Sequence, residues 1–233
     1  MKTPCPFCAH VLTGRKSAVG TRVACPACER SFYWSDARRS GDTFVVYDLE
    51  TTGLDPAYDE FIQLAAMRFS SGRLRPEDTF ASFAKPRVPI SSFIEGYTGI
   101  GNRHVKDAAR PEEVLLKFAA WAGDATLIAH NGLRFDSKFL AETCRRHRLP
   151  TRAVESIDTI HMSKMAFGRA RGTGHSLDHL VSRLKIDQHG VRRHDARGDV
   201  EILGRVVLGL AQRLDLDHAL NGVPRHPALL PSA

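Results

Sequence analysis

Two acids, Asp48 and Glu50, close a stripe that begins apolar. Side chains alternate along an extended segment, so Phe44, Val46, Asp48 and Glu50 share one face. Carboxylates crowded on such a face repel each other unless a cation lies between them. Asp199 raises the same question on a helix, because with Leu203, Val206 and Leu210 it follows helical spacing onto a buried stripe. Asp136 opens another helix, a place where the helix dipole by itself already favours an acid. Hard oxygen donors of this kind suit Mg²⁺ or Mn²⁺. Two such ions close together make a phosphoryl-transfer site, one activating water and the other stabilising the leaving oxygen. The acids come from distant segments of the chain, and α/β proteins gather such segments at one rim of a sheet.

A second set of ligands lies at the N-terminus. Cys5 and Cys8 form one C-x-x-C pair and Cys25 and Cys28 another, with 16 residues between the pairs. Each pair offers two thiolates from a tight knuckle, and two knuckles complete a tetrahedron, so the pattern predicts one structural Zn²⁺. A redox dithiol needs one pair in a βαβ context, and a reducing cytosol disfavours disulfides. About 35 residues cannot bury enough apolar surface to fold alone, so the metal would supply most of this unit's folding free energy. Cys144 is expected as a buried small hydrophobe.

The elements that position these groups are legible in outline. Residues 1–35 are read as a zinc ribbon with a short strand at Thr21–Ala24, and the polar stretch 36–42 as a linker. Strands are predicted at Thr43–Tyr47, Phe61–Phe69 and Thr79–Ala84, in an antiparallel meander. Pro111 starts a helix over Glu112–Ala122. A buried strand follows at Ala125–Ala129, then a helix over Phe135–His147, a strand at Val154–Ile160, and helices at Ser176–Leu184 and Ala196–Leu214. This order predicts an α/β domain over residues 43–214, with a mixed sheet of three antiparallel strands and then two parallel ones, flanked by helices. The tail 215–233, with three prolines, reads as irregular.

Composition narrows the function. With 42% hydrophobic and 25% charged residues the chain is globular, and it has neither an apolar run long enough to cross a bilayer nor a signal-peptide start, which predicts a cytoplasmic protein without membrane contact. The net charge of +7 is uneven: seven Lys/Arg against two acids in residues 1–40 place +5 of it there. A basic appendage on a nearly neutral body suits a polyanion or an acidic partner, although a solvated surface explains it equally well. Phe32, Tyr33 and Trp34, beside Arg30, Arg38 and Arg39, could stack bases or pack against the knuckles. The ribbon's partner, protein or nucleic acid, is left open.

Three segments together resemble a known family. Asp48-Leu49-Glu50-Thr51-Thr52-Gly53-Leu54 is similar to the first motif of the DEDD 3′–5′ exonucleases, the superfamily of the proofreading subunits of bacterial replicative polymerases. The segment Ala129–Asp136 resembles the second motif, in a longer form like that of the Trex-type DNA exonucleases. His194–Val200 resembles the third, with the H-x₄-D spacing of the DEDDh branch; among 11 histidines only His194 has an aspartate five positions on. Where the family often carries H-G-I-T, this chain has Thr98-Gly99-Ile100-Gly101. Residues 3–35, in turn, resemble the small zinc ribbons of bacterial proteins.

The resemblance implies a ribonuclease H-like fold and a two-metal hydrolase. By it, Asp48 would bridge both ions, Glu50 and Asp199 would hold the one that binds the attacking water, and Asp136 would help hold the other. His194 would take the water's proton, and histidine is the side chain that exchanges protons near neutral pH. Thr51, Leu54, Asn131 and Phe135 would hold the terminal nucleotide of a single-stranded 3′ end, and the product would be a nucleoside 5′-monophosphate. Single-stranded DNA is favoured by the second motif, with an exoribonuclease as the variant within the class. The rival from another class is a zinc-ribbon binding module whose nuclease-like domain is catalytically silent.

Overall fold

The computed structural model describes residues 2–5, 10–15, 21–33, 43–170, 172–217 and 219–232. Cys8, Trp34, the linker 36–42 and the side chains of Phe32 and Tyr33 lie outside the described residues.

At the N-terminus, β1 (Lys2–Pro4) pairs antiparallel with β2 (Val11–Thr13), and β3 (Arg22–Ala24) with β4 (Ser31–Tyr33). Cys5 follows β1, while Cys25 and Cys28 lie between β3 and β4. The Cys25 carbonyl accepts the Glu29 N–H at 2.8 Å, closing a tight turn around the second pair. Among the described residues, Leu12 and Val23 pack against the cysteines.

The main sheet has six strands. β5 (Thr43–Thr51), β6 (Phe61–Ser70) and β7 (Arg73–Phe83) form the antiparallel meander; β8 (Thr126–Ala129) and β9 (Thr151–Asp158) run parallel to β5. β10 (His226–Pro231) pairs antiparallel with β9, giving the order β10-β9-β8-β5-β6-β7. The tail expected to be irregular therefore extends the sheet, with Ala228 and Leu230 buried. Its prolines obscured the alternation, but an edge strand pairs on one side only and tolerates residues without an N–H.

Helices α3 (Pro111–Ala122) and α4 (Asp136–Arg146) cover one face of the sheet, over Val45, Tyr47 and Leu49. α5 (Thr159–Phe167), α6 (Leu177–Leu184) and α7 (Ala196–Arg213) belong to the other face, where Phe44 and Val46 meet Leu203, Val206 and Leu210. Period two along β5 thus separates two apolar clusters, as expected of a strand buried on both faces. Short helices α1 (Ser92–Thr98) and α2 (Asn102–Val105) stand beyond β7. Neither α1 nor α5 was expected. β9 ends at Asp158 rather than Ile160 because the Asp158 carboxylate accepts the Ile160 N–H at 2.9 Å and caps α5. Among the described residues no helix is long and apolar enough to cross a membrane.

Candidate active site

β5 delivers Asp48 and Glu50 to the rim on the α7 face, and the first turn of α7 delivers Asp199. One carboxylate oxygen from each of the three lies within 4.8 Å of the others. Glu50 and Asp199 are buried, and Asp48 is half-buried. Asp136 approaches from the opposite layer as the first residue of α4; it is buried, and the Leu49 backbone N–H of β5 hydrogen-bonds its carboxylate.

Crowding shows in the protonation of these acids. Desolvation pushes the Glu50 carboxyl up to about 8, with repulsion from Asp199, Asp195 and Asp136 adding to it. Desolvation, then the charges of Asp136, Glu50 and Asp199, raise Asp48 well above the usual carboxylate range. Burial raises Asp136 as well, against the pull of its backbone hydrogen bonds. Buried acids that resist ionisation together form a site in need of cationic charge.

His194 sits in the left-handed region, φ 59°, in the loop before α7. Its backbone N–H donates to Asp199 Oδ2 at 2.8 Å, and its ring lies 4.4 Å, centroid to centroid, from Tyr97 of α1. The loop lies close against α7 because residue 198 is glycine; a Cβ there would collide with the Arg192 carbonyl. Gln63, buried on β6, pins the start of α7 by donating to Asp195 Oδ1 at 3.1 Å and accepting the Ala196 N–H at 2.8 Å.

A cleft of about 510 Å³ opens beside Glu50, between the loop after β5 and α1. Thr51, Leu54 and Phe135 line it, and Leu54 stands 84% exposed at its lip. The Thr51 hydroxyl is committed to the Gly53 carbonyl at 2.6 Å. Asn131 is absent from the lining; its N–H is tied to Asp158 Oδ1 at 3.0 Å. Sequence reasoning missed Phe93 and Tyr97, which present exposed rings one helical turn apart on α1. Ser91, whose side chain caps that helix, was the available signal.

The cysteines show a different geometry. One sulfur from each of Cys5, Cys25 and Cys28 lies within 4.8 Å of the others. The sulfurs of Cys5 and Cys28 are 3.7 Å apart. That is far from a disulfide, and it matches the edge of about 3.8 Å that a tetrahedron of sulfurs 2.3 Å from a central Zn²⁺ would have.

The family model described as exonuclease matches residues 45–207, which span the three acid-bearing segments. This chain belongs to the exonuclease family. It is 35% identical over 167 residues to the PolC-type DNA polymerase III of Bacillus cereus, covering 72% of this chain and 11% of that protein. With the same enzyme of Caldanaerobacter subterraneus it shares 37% over 172 residues, covering 72% and 12%. The chain therefore spans about a tenth of the length of these relatives. Among solved structures, the nuclease domain of 3′hExo, a DEDDh family member bound to rAMP, superposes with a TM-score of 0.67 at 23% identity, covering 80% of this chain and 97% of that chain. Exonuclease X in complex with 5′ overhanging duplex DNA gives 0.60 at 20% identity, covering 76% and 96%. These likenesses establish the ribonuclease H-like fold.

Proposed function

We propose that the chain is a 3′–5′ exonuclease releasing nucleoside 5′-monophosphates from single-stranded DNA. One observation carries the reading: three carboxylates, from β5 and α7, converge beside His194 at the edge of a nucleotide-sized cleft. The buried, mutually repelling acids fit divalent cations, with Asp48, Glu50 and Asp199 holding one and Asp136 helping to hold a second. Bound Mg²⁺ or Mn²⁺ would supply positive charge to the phosphoryl oxygens and make the attacking water more acidic.

The chain's own residues do the rest. Leu54, Phe93 and Tyr97 grip the terminal nucleotide through its base and sugar faces. His194 accepts the proton of the attacking water. That water's oxygen bonds to phosphorus while the bond to the 3′ oxygen of the preceding nucleotide breaks; that oxygen takes a proton from solvent, His194 gives its own back to solvent, and the terminal nucleotide leaves with its 5′-phosphate. DNA is favoured because relatives above 30% identity include DNA polymerases. Solved neighbours include both a DNA-bound and an rAMP-bound enzyme, so an RNA arm belongs in the test. With 5′-labelled single-stranded DNA and RNA, a ladder shortening from the 3′ end and abolished by EDTA supports the proposal. Absence of degradation with every metal would favour the silent binding module instead.

For the N-terminal unit we propose one structural Zn²⁺ held by Cys5, Cys25 and Cys28 with Cys8 as the fourth ligand. The 3.7 Å sulfur separation supports it. Elemental analysis of protein purified under reducing conditions should find one zinc per chain, and a zinc-free folded protein would refute it. The ribbon's basic charge makes nucleic acid or an acidic protein its partner class.

A further inference from the structure

Arg193 is the residue whose contacts the reaction outlined above does not use. It immediately precedes His194, and its side chain is mostly shielded, 22% exposed. Its Nε donates to Asp199 Oδ1 at 2.5 Å, a charge-assisted bond to one of the three converging carboxylates. The other end of the guanidinium faces away from the rim: Nη1 lies 3.0 Å from Asp178 Oδ1 on α6 and 3.2 Å from Gln188 Oε1. Asp178 is 79% exposed and so is an anchor at the surface. Arg193 also offsets the repulsion felt at Asp48, where its charge acts against those of Asp136, Glu50 and Asp199.

These contacts have a consequence for metal binding. Both Asp199 oxygens already have partners, Oδ1 the Arg193 side chain and Oδ2 the His194 N–H. A divalent ion bound through Oδ1 would face a guanidinium on the same oxygen, and the two cations repel. We infer that Arg193 is an internal counter-cation that competes with divalent metal for Asp199 and thereby sets the metal concentration the enzyme requires. This rests on the metal-site reading of the acid cluster. When Asp199 takes up metal, the guanidinium withdraws onto Asp178 and Gln188, which it already touches, so no new pocket is needed.

The test is calorimetric titration of Mn²⁺ into the wild type, Arg193→Gln and Arg193→Lys. Loss of one charge-assisted hydrogen bond predicts about tenfold tighter Mn²⁺ binding for Arg193→Gln, since such bonds are worth roughly one order of magnitude in an equilibrium. Arg193→Lys, which keeps the charge and loses the fork, should fall between. The metal-free melting temperature of Arg193→Gln should drop, because the acids lose their counter-charge. Equal or weaker Mn²⁺ binding by Arg193→Gln would overturn the inference. A wild type that binds no Mn²⁺ would overturn the metal-site reading itself, and this inference with it. Should the variants fail to fold, the wild type suffices: the nitrogen-15 resonance of Arg193 Nε should move on saturation with Mg²⁺, and an unmoved signal would overturn the competition.

Discussion

At the rim of the large sheet, three carboxylates are held by a strand and a helix that each bury an apolar stripe; at the N-terminus, three thiols are held by hairpins of three-residue strands with two partly buried aliphatics beside them. The acids are forced together by a core that folds for other reasons, and their repulsion is a burden that the apolar clusters carry. Among the described residues the thiols have no such core, which is what the proposed zinc would replace. A site for hard ions can be preformed and strained, whereas a site for zinc can be the fold itself.

The largest expected effect separates the two regions. Cys25→Ser should release the zinc and unfold the ribbon, since structural Zn²⁺ in small domains supplies on the order of 10 kcal/mol. The main transition in a thermal scan should stay in place, and a shift of that transition along with the ribbon's would break the contrast. Next comes His194→Asn, which removes a proton acceptor and leaves the carboxylates alone. It should lower kcat by about 10²–10⁴ with little change in Mn²⁺ affinity, the ordinary worth of a general base.

Arg146→Ala tests the scaffold behind the site. Arg146 on α4 is 12% exposed in its side chain and pairs with buried Glu60 at 3.2 Å, while its Nη2 donates to Pro56 O at 2.9 Å and Ala57 O at 3.2 Å. The loop that carries Leu54 is thereby fastened to the helix that begins with Asp136. Breaking a buried pair leaves Glu60 with Arg87 alone, and a loss of about 3 kcal/mol is expected in denaturant titration. A loss under 1 kcal/mol would mean that the loop is held by other contacts.

The smallest effect sharpens the idea of strain. Glu50, raised in the folded state to about 8, holds its proton after the unfolded chain has lost it, so stability declines as pH rises through that range. His130, lowered by burial to about 4, acts oppositely, but only below the unfolded histidine value near 6.5. Between pH 6.5 and 8 the histidine no longer opposes it, Asp136 (raised to about 7) and Asp48 act in the same direction as Glu50, and the metal-free protein should lose at least roughly 2 kcal/mol. Saturating Mn²⁺ should flatten that slope, and a metal-free stability that is level or rises over the same interval would contradict it.

Much of the rim was legible because it violates local rules. Asp48, Glu50 and Asp199 occupy positions that period two along a strand and 3.6 along a helix assign to apolar residues, and the three motifs occur in the order of the family. What stayed hidden lacks that signature. Phe93 and Tyr97 sit on a seven-residue helix and point outward, so no amphipathic pattern announces them. β10 is punctuated by Pro227 and Pro231, which a central strand would exclude and an edge strand accepts. The Arg146 contacts join residues 86 to 90 positions apart, beyond any local pattern. Asn131 was named from its motif position alone, and the bond that fixes its backbone, from its N–H to Asp158 Oδ1 across 27 positions of sequence, is likewise invisible to local pattern.

The most direct test compares the wild type with Asp199→Asn on 5′-labelled single-stranded DNA in Mn²⁺, with thermal melts of both proteins recorded in the same buffer. The acid cluster, as read here, requires turnover to fall by at least about a thousandfold while the main domain still melts as a single cooperative unit, because Asp199→Asn relieves one repulsion and weakens the Arg193 pair at the same time. Turnover within tenfold of the wild type in a folded Asp199→Asn protein would contradict the account.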